Sequence, residues 1–326
     1  KFVQFGLFPK IKTQSRSLKV MNLRFLNPIG LAAGFDKNAV LLEKIENLGF
    51  AFTEVGTITV LPQKGNPKPR VFRLSNDEGI INRYGFNNDG VEIIKKRIKS
   101  FLNLKKKNKV KVGINIGPNK NTKNRIQDYK ILINKLSKYA DYFSINISSP
   151  NTPNLRDLQS EILFNKLIVE LKNEIKKQSC KPPILIKISP DVDKTDLVVI
   201  INIIVKQDLD GLIISNTTIK RNVKSKYKNE SGGLSGKPLF EESTKLLLEA
   251  RKIVDNLKAN ISIIGCGGIN DGKTAYIKIL CGADLIQIYT SIAYRGPFIV
   301  KKILNDLEKF RKRDSFKDWV DVRGKA

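Results

Sequence analysis

The sequence predicts a single α/β domain, a (β/α)8 TIM barrel with active-site insertions after strands 2 and 6. Three observations predict it. Short Val- and Ile-rich runs alternate with longer amphipathic segments along nearly all 326 residues, which is the rhythm of βα units. The apolar runs lack strict polar alternation, as strands buried on both faces of a parallel sheet must. Eight such runs occur, the number that closes a barrel. An open doubly wound sheet is the other architecture the alternation allows, but no GxGxxG loop follows the first run.

The strands are expected to begin near Pro28, Ala51, Val110, Asp141, Pro183, Leu209, Ile261 and Asp284. Helices are expected over 38–48, 88–102, 124–139, 158–178, 194–207, 240–258, 271–281 and 297–309. Leu167, Ile168, Leu171 and Ile175 form the apolar stripe of a helix packed on one side. Two connections exceed a turn, 57–87 and 216–240. Both leave the C-terminal end of a strand, the face where barrels do their chemistry. VFRL in the first reads as a short extra strand, and RNVKSKYKNESGGLSG in the second as a flexible polar loop. One of the two suits a lid.

Composition excludes several classes. Hydrophobic residues make up 41% of the chain, enough for a large core. No apolar run is long enough to span a bilayer and no secretory signal precedes the first strand, so the chain reads as soluble or at most peripheral. It opens at Lys1 rather than Met, so an upstream piece is expected. Cys180, Cys266 and Cys281 are too few and too scattered for a disulfide framework or a metal site, which points to a reducing compartment and no metal. There is no His, which removes the commonest general base, every Ser-His or Cys-His pair and His-liganded zinc. The net charge of +28 comes from 59 Lys and Arg against 31 Asp and Glu. Its lysines are spread over expected helices such as 95–109 and 172–177, which reads as solvated surface. Attraction to an anionic membrane and nucleic-acid binding are the other readings, but no zinc-finger, helix-turn-helix or RNP pattern supports nucleic acid.

Polar residues collect where the strands stop. Strand one ends in Ala32, Ala33 and Gly34, small enough for a flat ligand to approach the backbone, with Lys37 beyond them. Strand two ends in Gly56 and Thr57, strand three reaches Asn115, and strand four reaches Asn146 with Ser148, Ser149, Asn151 and Thr152 after it. Strand five carries Lys187 within a run of Ile, and strand six leads to Ser215, Asn216 and Thr217. Each Thr or Asn alone reads as a turn residue. Together, three amides and a lysine from successive strands make no sense as packing, because buried polar groups destabilise unless paired. Gly267 and Gly268 follow strand seven, and Tyr289 and Thr290 follow strand eight, where barrels frequently hold phosphate. A phosphate-bearing planar cofactor fits, flavin mononucleotide ahead of pyridoxal phosphate, which would use Lys187 as its Schiff-base lysine.

The sequence resembles the class 2, quinone-dependent dihydroorotate dehydrogenases. The match is carried by NPIGLAAGFDKN at 27–38, EVGTIT at 54–59, GNPKPRVFRL at 65–74, INRYGFNN at 81–88, GINIG at 113–117, NISSPNTPNLR at 146–156, NTT at 216–218, GGLSGKPL at 232–239 and GCGGI at 265–269. The resemblance implies oxidation of (S)-dihydroorotate to orotate in de novo pyrimidine synthesis, with flavin mononucleotide (FMN) as hydride acceptor and ubiquinone or menaquinone as oxidant. It makes Ser149 the base that takes the C5 proton, where class 1 members carry Cys. Thr152 and Phe86 shape the proton's exit, and Lys187 stabilises the reduced ring. Substrate contacts carry over to Lys37, Asn82, Arg83, Tyr84, Gly85, Phe86, Asn146, Asn151, Asn216 and Thr217. Flavin contacts carry over to Ala33, Gly34, Lys37, Thr57, Asn115, Asn146, Lys187, Ser215, Gly236, Gly267, Gly268, Tyr289 and Thr290.

The same resemblance divides the chain into residues 1–21, the remnant of a membrane- and quinone-associating region, and residues 22–326, the FMN-binding catalytic barrel. Phe2, Phe5, Leu7 and Phe8 are candidates for the end of a quinone tunnel. It implies a monomer held peripherally on a membrane, at the cytoplasmic face of the inner membrane in a bacterium or on the mitochondrial inner membrane in a eukaryote. Two departures from the family pattern are local: Ser215 stands where Thr is common, and Pro118 where Lys is usual.

Overall fold

The computed structural model describes Ile11, residues 15–104 and residues 110–326. Strands β1 (Ile29–Asp36), β2 (Phe52–Ile58), β3 (Lys111–Ile116), β4 (Tyr142–Asn146), β5 (Ile184–Ile188), β6 (Gly211–Ile214), β7 (Ser262–Cys266) and β8 (Leu285–Ile288) run parallel and close a barrel. Closure is made by β8 on β1, with Ile286 opposite Ile29 and Ile288 opposite Leu31. Every strand begins within two residues of its expected start. Such strands are legible because both faces are buried: β4, β5 and β6 have no exposed residue, so selection for apolar character acts on every position.

The helices follow the same order: α1 (Leu42–Ile45), α2 (Val91–Leu104), α3 (Arg125–Leu136), α4 (Glu161–Lys176), α5 (Lys194–Lys206), α6 (Phe240–Asn256), α7 (Gly272–Leu280), α8 (Thr290–Arg295) and α9 (Ile299–Arg313). Phe164, Leu167, Ile168, Leu171 and Ile175 of α4 are buried against the barrel, each contributing about 1.5–3 kcal/mol. Starts are set by side-chain caps. Asn124, Asp193 and Asp271 each accept the backbone N–H three residues on.

Aromatic rings fill the lower barrel. Phe25 packs edge-on against Phe52 at 5.4 Å, and Phe52 against Tyr142 at 6.4 Å. Gly30 and Gly113 leave room for the Phe52 and Tyr142 rings, which a Cβ at either position would strike. Phe25 comes from a hairpin, Leu18–Val20 paired with Leu23–Phe25, whose two turn residues Met21 and Asn22 both take positive φ, as the tightest hairpin turns require. Leu18, Val20 and Phe25 all join the main core. The division between residues 21 and 22 therefore falls inside a turn, and residues 18–25 fold as one piece. Phe2, Phe5, Leu7 and Phe8 lie outside the described residues. Among the described residues, no helix is long and apolar enough to cross a membrane.

The two insertions meet. VFRL forms the expected extra strand, Val71–Leu74, which pairs with Gly79–Asn82. The second insertion departs from the expected polar loop: its end, Gly233–Gly236, is a strand on the other side of Gly79–Asn82. The resulting three-stranded antiparallel sheet has its own small core of Phe72, Leu74, Ile81 and Leu234, flanked by Val223 and Tyr227. A strand with one large apolar residue among glycines has no periodicity to read, so only its partner reveals it. Arg221 ties the rest of this insertion down by donating to the Glu230 and Gly232 carbonyls.

Candidate active site

The C-terminal barrel face rests on a floor of hydrogen-bonded side chains. Glu54 on β2 is fully buried. Its Oε1 accepts from Gln287 Nε2 at 2.5 Å and from the Tyr142 hydroxyl at 3.3 Å, and its Oε2 accepts from Asn115 Nδ2 at 3.1 Å. Asn115 Oδ1 in turn accepts from the Thr57 hydroxyl at 2.6 Å, and Thr57 Oγ1 accepts from Asn146 Nδ2 at 3.0 Å. Asn216 continues the chain, donating to Asn146 Oδ1 at 3.2 Å and Ser148 Oγ at 3.0 Å. Ser148 donates to the Lys187 carbonyl at 2.6 Å. Strands two to six are thus cross-linked through their polar ends, which resolves the cost of burying so many amides.

Above this floor is a cavity enclosing, together with the solvent at its mouth, about 1150 Å³ of empty space. Among the described residues, Lys37 and Lys187 are the only charged ones that line it, and no carboxylate does. Lys37 donates to the Gly34 carbonyl at 2.5 Å and lies 4.1 Å from the Tyr84 ring centroid. Burial, helped by the nearby Arg70 charge, pushes its pKa down to about 8. The Lys187 ammonium is 95% buried as a residue and has no hydrogen-bond or ion-pair partner among the described residues. Such a cation is stabilised by an anionic or electron-rich ligand. Asn151 Oδ1 and Gln287 Oε1, both from lining residues, are buried acceptors without partners among the described residues. They suit a ligand that brings N–H donors.

The far end of the cavity is backbone. Gly236, Gly267 and Gly268 all line it with positive φ, at 91°, 108° and 76°. A Cβ on Gly236 would come within 2.9 Å of Thr290 Cγ2. The Thr290 hydroxyl itself donates to Ser235 Oγ at 2.9 Å. Glycines so disposed, beside the Ser235 and Thr290 hydroxyls, leave backbone open to the cavity, the form of a backbone cradle for an anion. That backbone end, two lysines and unfilled acceptors together fit the phosphorylated planar group expected here.

Ser149 sits on the loop after β4, 6% exposed, with its Oγ accepting from the Asn151 N–H at 3.3 Å. Arg156 pins that loop: it donates to the Ser148 carbonyl at 3.1 Å and the Thr217 carbonyl at 3.1 Å, and pairs with Asp191 at 2.9 Å. Phe86 takes a left-handed φ of 53° after Gly85 at 69°, a backbone that costs roughly 1–3 kcal/mol and marks ligand clamps. Its ring is accommodated by Gly117, where a Cβ would come within 3.0 Å of Phe86 Cε2 and 2.7 Å of Thr57 Cγ2.

Of the expected site residues, Ala33, Gly34, Lys37, Thr57, Asn82, Tyr84, Gly85, Phe86, Asn146, Ser149, Asn151, Lys187, Ser215, Asn216, Thr217, Gly236, Gly267, Gly268, Tyr289 and Thr290 line the one cavity. Three do not. Asn115 lies beneath it in the floor. Arg83 turns away to pair with Glu230 at 2.7 Å and to cover the Phe72 ring at 4.6 Å. Thr152 is buried, and its carbonyl accepts from the Leu155 N–H at 3.3 Å. Sequence reasoning missed Glu54, Gln287, Ser235 and Cys266. Glu54 was detectable as an acid inside a strand, two residues from Phe52 and so on the same face.

Comparison with known proteins agrees with this geometry. The family model for dihydroorotate dehydrogenase matches residues 16–310. A protein of Bartonella tribocorum named dihydroorotate dehydrogenase (quinone) is 47% identical over 320 residues, covering 96% of this chain and 87% of its own length. The mitochondrial protein of that name from Oryza sativa is 41% identical, covering 98% of this chain and 74% of its own. Among solved structures, that of the Eimeria tenella dihydroorotate dehydrogenase in complex with ferulenol superposes with a TM-score of 0.93 at 35% identity, covering 99% of this chain and 92% of that one. With the barrel, the lysine-lined cavity and these relatives in hand, the chain belongs to the dihydroorotate dehydrogenase family.

Proposed function

We propose that this chain oxidises (S)-dihydroorotate to orotate, using flavin mononucleotide and a quinone. The observation that carries the reading is a cavity lined, among the described residues, by two lysines, a set of amides and no carboxylate, complementary to an anionic, amide-rich ring beside a second planar group. When bound, flavin mononucleotide accepts the hydride that leaves C6 of the substrate, and a quinone removes the electrons.

The chain's residues then have distinct tasks. Lys37 holds the substrate carboxylate, and its burial strengthens that pairing. Asn82, Asn146, Asn151, Asn216 and Thr217 orient the ring, with the unpartnered Asn151 Oδ1 as acceptor for a ring N–H. Such groups reject analogues that lack the matching donor, because the buried acceptor is then left unpaired. Ser149 Oγ takes the C5 proton, and Thr152 and Phe86 border its route outward. Lys187 supplies positive charge under the cofactor ring. Gly236, Gly267, Gly268 and Thr290 receive the phosphate. The names of the quinone-type relatives support the oxidant. On the same resemblance, the chain acts as a monomer beside the membrane that carries the quinone.

The test is anaerobic mixing of the purified, flavin-loaded chain with dihydroorotate. Bleaching of the visible flavin bands, followed by recovery on adding a ubiquinone or menaquinone analogue, is the expected result. Bands that stay unchanged with dihydroorotate refute the substrate.

A further inference from the structure

Behind the glycine cradle stands a lysine that the chemistry above leaves unused. Lys278 of α7 is fully buried. Its Nζ donates to Ser243 Oγ on α6 at 2.7 Å and lies 5.5 Å from the Phe240 ring centroid. No carboxylate pairs with it among the described residues. The titratable groups that face it are thiols, Cys266 at the end of β7 and Cys281 just past α7. Burial pushes both thiols up, so they are neutral around pH 7, and it pushes the Lys278 ammonium down to about 7.

Ser243 connects this lysine to the cradle. Its hydroxyl lies among three carbonyl oxygens, Leu239 at 2.8 Å, Gly267 at 3.1 Å and Phe240 at 3.2 Å, and a Cβ on Gly267 would come within 2.9 Å of it. The ammonium is therefore one hydroxyl away from the turn that faces the cavity. Among the described residues no cation hydrogen-bonds to that turn: Lys37 lies against Tyr84, and Lys187 rises from β5, two strands from the β7 that the turn follows. The N-terminus of α7 offers no substitute, because its own Asp271 carboxylate occupies it, accepting from the Thr274 N–H at 2.8 Å.

We propose that Lys278 is a positioning residue for the cofactor phosphate, a buried ammonium that acts through Ser243 and the Gly267 and Gly268 peptides to favour a phosphate ester over the free alcohol. The proposal rests on flavin mononucleotide being the cofactor. A unit charge held a few contacts from a dianion, at an effective dielectric of about 20, changes an equilibrium about ten-fold or more.

The test uses the full chain freed of flavin by dialysis and titrated with flavin mononucleotide or riboflavin, which shares the ring and ribityl chain but has no phosphate. Flavin fluorescence quenching at pH 6.5 is the readout. Lys278→Met is expected to weaken flavin mononucleotide about ten-fold and riboflavin less than about two-fold. Equal losses for both ligands, or no loss for either, overturn the proposal while leaving the cofactor reading intact. A wild-type chain that takes up no flavin mononucleotide refutes that reading, and the proposal with it. If Lys278→Met does not fold, the wild-type chain decides. Its preference for flavin mononucleotide over riboflavin should fall between pH 6.5 and 8.5 as the ammonium deprotonates. The phosphate's own second ionisation, at about pH 6, acts in the opposite direction, and a preference that is flat or rises with pH overturns the assignment.

Discussion

Replacing Glu54 tests whether the floor of the barrel holds the site in shape. Its carboxylate accepts three hydrogen bonds, from Gln287, Tyr142 and Asn115, at a position with no access to water. Glu54→Gln keeps the shape but turns one acceptor into a donor, so one of the three donors meets an N–H instead of an oxygen. A buried donor left unsatisfied costs about 1–3 kcal/mol, which is the expected loss of stability. Glu54→Leu orphans all three donors at once, and the sum, about 3–9 kcal/mol, approaches the whole stability of an ordinary domain. Urea denaturation followed by far-ultraviolet circular dichroism gives both numbers. The Gln variant should fold with a lowered midpoint, and the Leu variant should be largely unfolded without denaturant. A Glu54→Leu variant as stable as wild type would refute the account of the floor as a mutually satisfied network.

Other outcomes follow from the site above the floor. Ser149→Ala should leave flavin bound but slow its reduction by dihydroorotate at least about 100-fold in stopped flow, as removal of a general base does; a near wild-type rate would remove Ser149 from that role. Lys37, with its pKa held near 8 chiefly by burial, is charged below that pH and neutral above it. The KM for dihydroorotate should therefore rise by up to about ten-fold per pH unit above 8, and a steady-state pH profile of Lys37→Met should lack that rise. Leu234→Ala should cost about 2–4 kcal/mol locally, seen as faster proteolysis within 221–232 with the barrel's own unfolding midpoint unchanged.

The barrel was legible because each strand is buried on both faces and its composition is constrained throughout, as in the ILIKI of β5. The site was legible for a related reason: a lysine or amide at a buried strand end has no packing explanation, so Lys187, Asn146 and Asn216 stand out against their neighbours. Residues whose work is long-range were not legible. Arg83 sits in a motif beside Asn82 and Tyr84, yet its partner Glu230 is 147 residues away, and nothing local says that the side chain turns outward. The strand Gly233–Gly236 is defined by its pairing rather than by its own residues. Lys278 reads as one more solvated helix lysine, because its burial depends on how α6 and α7 meet over β7.

The small sheet over the cavity makes the two insertions a single mechanical object. Gly79–Asn82 is its central strand, bonded on one side within its own insertion and on the other to a segment more than 150 residues later. That strand and its neighbours also supply cavity wall, through Val71, Ile80, Asn82, Ser235 and Gly236. A ligand leaving on this side must lift both insertions together or break one of the two ladders. Changes of length in one insertion are therefore transmitted to the other, even though the two are far apart in the sequence.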